Sequence, residues 1–133
     1  MHRVRPWLRF RTRGSYIALA LGTIVLGLGV HWRGGALGST VRDVLGDALW
    51  AVMVAWWIGA IAPGAPLRTR AAATLAICVG VEVSQLYHTP VLDALRSTMA
   101  GALILGSGFD PRDFMAYTLG VLAAAVLERA VVR

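Results

Sequence analysis

Apolar residues run through this chain in long blocks, and polar residues interrupt them at only a few places. The first block extends from about Ser15 to Trp32 and holds no charge before His31. A second runs from about Asp43 to Ala62, where Pro63-Gly64-Ala65-Pro66 stops it. A third covers Ala71 to Tyr87, and a fourth runs from about Arg112 to Val132. Blocks of roughly 20 residues match the hydrocarbon thickness of a bilayer, and the third, at 17 residues, lies at the short end of the spanning range. Between the third and fourth blocks, Pro90 opens a short amphipathic helix over Val91–Thr98. Met99 to Phe109 is then apolar and Gly-rich but too short to span, as expected of a re-entrant or interfacial hairpin packed on protein. Asp110-Pro111-Arg112-Asp113 has the makeup of a helix start. The pattern predicts an all-α polytopic membrane bundle of four transmembrane helices, with the short hairpin between the third and fourth. Residues 1–14 form a basic cytoplasmic tail, and residues 15–133 a single four-helix membrane domain.

Composition and charge sharpen this picture. With 133 residues there is room for one domain, and 57% of them are hydrophobic against 15% charged. A soluble domain carries about 25% charged residues, so the deficit is the charge that a water-facing surface needs. All 13 basic residues are Arg, which together with the abundance of Ala and Gly suggests a GC-rich bacterial genome. With the N-terminus inside, nine of the 13 fall on the cytoplasmic side, which places both termini in the cytoplasm of a multi-pass cell-membrane protein. Basic residues gathered at membrane edges point to anionic lipid headgroups and not to nucleic acid. No small-x-small cleavage site followed by a polar mature chain appears after the Arg-rich start. The single cysteine, Cys78, lies inside an apolar run and reads as a small core residue.

The chemistry concentrates at one depth. Glu82 and Gln85 stand three residues apart near the end of the third block, a spacing that puts them on one helical face. Charge inside a membrane segment is costly unless paired or hydrated, and so marks a site. In the four-span topology, six of the seven acidic residues fall in the outer half, including Asp43 and Asp47 one turn apart; Glu128 alone sits inside. Glu82, Gln85, Asp47, Arg96 and Asp113 are expected to converge on an outward-facing pocket. There Arg96 pairs with Glu82 or Asp113, because guanidinium and carboxylate bind in a fork. Tyr117, one turn after Asp113, adds a hydroxyl, and Trp50 is the best wall residue. Trp56 and Trp57 read as interfacial belt residues. No metal ligand spacing of the His-x-x-x-His kind occurs, no Gly-x-Ser-x-Gly turn surrounds Ser84 or Ser97, and no cofactor is expected.

Several motifs also carry a resemblance. The run Gly46-Asp47-Ala48-Leu49-Trp50, then Glu82-Val83-Ser84-Gln85-Leu86-Tyr87, Leu95-Arg96-Ser97-Thr98, Gly101, Leu105-Gly106 and Asp113 to Gly120 resembles the bacterial membrane family known as domain of unknown function 2809. The resemblance spans residues 15–130. More loosely, the order Glu82, Gln85, Arg96, Asp113, Gly120 is similar to VanZ-like membrane proteins, linked to tolerance of a glycopeptide antibiotic. Tyr117 stands where that looser pattern tends to have a small polar residue such as Asn.

Three functions are compatible with these features. The first is an envelope accessory or binding protein whose outer pocket holds a phospholipid headgroup, a polyprenyl-linked sugar or a cell-wall fragment. The second is a small proton-coupled transporter subunit, working as a homo-oligomer because four short spans leave little room for alternating access. An enzyme acting on a lipid-linked substrate, with Glu82 or Asp113 as general base, ranks last for want of an activated nucleophile or metal motif.

Overall fold

A computed structural model describes residues 6–105 and 111–131. Among these residues all regular structure is helical, and there is no strand. Helix α1 (Pro6–Arg33) leads through a 3₁₀ turn (Gly34–Leu37) into α2 (Ser39–Ile61), followed by α3 (Leu67–Ser84). The short helices α4 (Pro90–Arg96) and α5 (Met99–Leu105) form the connection to α6 (Asp113–Val131). Both α1 and α2 are long and apolar enough to cross a membrane.

The apolar blocks become helices, but their edges move. Helix α1 begins at Pro6, so most of the basic segment is helical: its Arg residues are good helix formers, and Pro fits a helix's first turn. The Gly-, Ser- and Thr-rich stretch 33–42 is not a plain loop, because α2 already starts at Ser39. Helix α3 gains Leu67–Arg70 and ends at Ser84, leaving Gln85–Tyr87 in a turn. Thr89 caps α4: its hydroxyl oxygen accepts the Leu92 N–H at 3.1 Å, with Pro90 in the first turn. The hairpin segment 106–110, including Asp110, lies outside the described residues.

Helix α2 is the hub, packing against α1, α3 and α6, while α3 also packs on α6. Two small cores hold these helices. One gathers Tyr16, Ala20, Val52, Trp56 and Ala124, the other Ala51, Cys78, Tyr117 and Val121. Close approach of α2 and α6 depends on Gly120, where a β-carbon would run into the Ala48 carbonyl oxygen.

The outer faces of α1, α3 and α6 are aliphatic, and polar side chains share the interior with the two apolar cores. On α3 the buried residues are Thr74, Cys78 and Glu82, while Ile77, Val79 and Val83 face outward. On α6, Tyr117 and Glu128 are buried, and Met115, Leu119, Leu122, Val126 and Leu127 are exposed. Helix α1 follows suit, with Tyr16 and Thr23 inside and Ile17, Leu21, Val25 and Leu26 outside. Polar groups inside and aliphatic groups outside are what a lipid solvent selects, since only internal partners can satisfy them there.

Candidate functional site

One end of the bundle collects the start of α2, the end of α3 and the start of α6. Glu82 is fully buried there, at 0% exposure. Its Oε2 accepts the Tyr117 hydroxyl at 2.9 Å and, more weakly, the Gln85 side-chain amide at 3.5 Å. Gln85 has left the helix, yet its side chain still reaches back over the last turn. The side chains of Asp47 and Asp113 share a hydrogen bond, and the charges of Glu82 and Asp43 act on the same group. The Trp50 ring lies 6.0 Å from that of Tyr117 at 52°, closing one side. Asp47, Trp50 and Asp113 are half-buried and form the rim; Glu82, Gln85 and Tyr117 stand behind it.

Arg96 departs from the sequence expectation. Its guanidinium donates to the Tyr87 and Ser84 carbonyl oxygens, each at 2.9 Å, and lies 3.9 Å from Asp93. It therefore caps the C-terminal end of α3, where carbonyls are left without helical partners, and does not form the expected pair with Glu82 or Asp113. A cation at that end of the helix also complements its dipole. Arg96 is only 9% exposed, and among the described residues its Nε is the buried side-chain nitrogen or oxygen with no hydrogen-bond partner. His88 meets Asp93 at 3.1 Å.

The opposite end holds a second cluster. Glu128 on α6 accepts the Tyr16 hydroxyl from α1 and binds Arg70 of α3 in a fork, with the second contact at 3.2 Å. Arg70 Nε donates to the Ala65 carbonyl oxygen at 3.0 Å, and its guanidinium carbon lies 5.5 Å from the Tyr16 ring centroid. Trp56 is 3% exposed and packs its ring 6.3 Å from Tyr16, so it is a core residue and not a belt residue. Gly59 makes room: a β-carbon there would sit 2.6 Å from the Tyr16 ring. The sequence reading passed over this triad, because Arg70 sat in an expected loop and Tyr16 at a span edge. The available signal was Glu128 itself, the one acidic residue on the Arg-rich side.

The two clusters define a class: an all-helical protein with two helices long and apolar enough to cross a membrane, and with buried polar groups at both ends of its bundle. The chain belongs to the family described as Protein of unknown function (DUF2809), whose sequence profile matches residues 36–121. No solved structure matches it. The matched stretch contains every residue of the Glu82 cluster, whereas Tyr16 and Glu128 lie outside it. Among the described residues, no group of three His, Cys, Asp or Glu side chains is arranged to hold a metal ion.

Proposed function

We propose that α1, α2, α3 and α6 all cross the cell membrane with both termini in the cytoplasm, and that the Glu82 end faces outward to bind a polar headgroup. The chain is then an envelope accessory or binding protein, and its ligand a phospholipid, a lipid-linked sugar or a cell-wall fragment. The aliphatic outer faces of α1, α3 and α6 support four spans: at a rise of about 1.5 Å per residue, α3 and α6 are about 27 and about 28 Å long, close to a hydrocarbon core of about 30 Å.

The observation that carries the headgroup reading is the buried Arg96 Nε without a partner. An unmet buried donor costs about 1–3 kcal/mol, which an anionic oxygen of a ligand recovers. The half-buried carboxyls of Asp47 and Asp113 then accept hydroxyl or amine donors from the same headgroup, and Trp50 lines the wall. The test is mass spectrometry of lipids and small molecules that co-purify in mild detergent. Wild type should retain a discrete species that Glu82→Gln and Arg96→Ala lose while their melting temperatures stay within a few degrees. Equal retention by both variants would remove the assignment.

A further inference from the structure

Helix α3 carries Arg70, Thr74, Cys78 and Glu82 at intervals of four residues. Four residues advance a helix by about 6 Å and 40° beyond a full turn, so these positions form one slowly winding stripe. All four side chains turn inward: Thr74, Cys78 and Glu82 are at 0% exposure, and the Arg70 side chain at 11%. The stripe joins the two clusters, Glu82 with Tyr117, Asp47 and Asp113 at one end, Arg70 with Glu128 and Tyr16 at the other. A small recess, with room for about one water, lies beside Arg70 and Glu128. Its walls include Arg70, Glu128, Thr74, Ala124 and Val121, so it reaches about one helical turn up α3 from Arg70. Above Thr74, one apolar layer of Ala51, Cys78 and Val121 separates the recess from the Tyr117–Glu82 pair.

We propose that the seam between α3 and α6 is a gated proton path across the membrane, closed in this structure by the Ala51–Cys78–Val121 layer and by the Arg70–Glu128 ion pair. The outer carboxyl groups take a proton from external water. When the layer hydrates, the proton passes from Glu82 along water beside Cys78 and Thr74 and leaves through the recess to the inner water. Each proton taken up outside is one released inside, and the gradient alone drives it. Arg70 and Glu128 satisfy one another in a fork beside the recess, and this closed pair serves as the inner gate. Polar groups buried in a span are expensive even where they find internal partners, and chains of them mark proton routes. The proposal rests on the four-span placement but not on the headgroup reading; labelling of a cysteine at position 97 from outside intact cells tests that placement separately.

The test uses the full chain in sealed vesicles containing a pH-sensitive dye, with a potassium gradient and valinomycin setting the voltage. Wild-type vesicles should hold their pH nearly as well as protein-free ones. Removing both gate charges together, Arg70→Gln with Glu128→Gln, should raise proton flux at least tenfold and make Cys78 reactive towards a small charged methanethiosulfonate. Adding Glu82→Gln should return the flux to the wild-type level. A folded gate variant that stays tight, with Cys78 unreactive, overturns the proposal. Flux that survives Glu82→Gln also overturns it, because a merely loosened bundle would leak without that carboxyl. Should the gate variant not fold, Val121→Ser decides the matter by wetting the apolar layer with the ion pair intact: a Glu82-dependent rise supports the path, and no rise sinks it.

Discussion

Tyr117 and Tyr16 do the same work at opposite ends of the bundle, each giving its hydroxyl to a buried glutamate. Tyr117→Phe leaves Glu82 with one donor fewer and should cost about 1–3 kcal/mol, the penalty for an unmet buried polar group. Denaturation in detergent measures it, with Tyr87→Phe as control: Tyr87 is exposed, and its loss should register below about 0.5 kcal/mol. Glu128→Ala should be harsher, about 3–5 kcal/mol, because it strands the Arg70 charge in the interior. Combining it with Arg70→Ala should recover part of that loss, and the double-mutant cycle reads the coupling directly. At this scale the sequence was informative for Glu82, whose charge stands out in an apolar run. It was uninformative for Arg96, whose partners are backbone carbonyls that no side-chain pattern announces. It was silent on Arg70, whose partner is 58 residues away.

At the level of elements, hydropathy located every long helix, while the ends depended on weaker signals. Pro63-Gly64-Ala65-Pro66 stopped α2 near its expected end, since proline cannot continue a helix. No comparable breaker stands among residues 7–14, so α1 runs through the Arg-rich segment. The α2–α6 contact was not readable from hydropathy, because Gly120 matters for the β-carbon it lacks. Gly120→Val should push α6 off the Ala48 carbonyl and destabilise the protein by about 1–3 kcal/mol, as overpacking does. It should also separate Asp113 from Asp47 and so weaken ligand retention. Gly80→Ala, in open space on α3, should be neutral or stabilise by up to about 1 kcal/mol. Parallel thermal melts of the two variants check both expectations.

For the molecule as a whole, orientation is the first thing to establish. Reporter fusions at the N- and C-termini should both report the cytoplasm, and a cysteine placed at exposed Ser97 in a Cys78→Ala background should be labelled from outside intact cells. The gathering of Asp47, Glu82, Asp113 and Tyr117 at one end of the bundle was legible because successive antiparallel helices bring segments distant in sequence together. The Tyr16–Arg70–Glu128 cluster was not, because it joins residues that each looked like an ordinary membrane-edge anchor. The pairing between α3 and α6 also bears on how the protein is made. Arg70 and Glu82 leave the ribosome 58 and 35 residues ahead of the α6 partners they will meet. At a synthesis rate of about 5–20 residues per second, Arg70 waits about 3 to 12 seconds for Glu128. Over that interval α3 is a poor guest for lipid, since a charged residue costs up to about 3 kcal/mol to insert. If α3 crosses the membrane as proposed, it lodges stably only once α6 arrives, and a chain cut short before Asp113 should be handed to membrane proteases as an orphan.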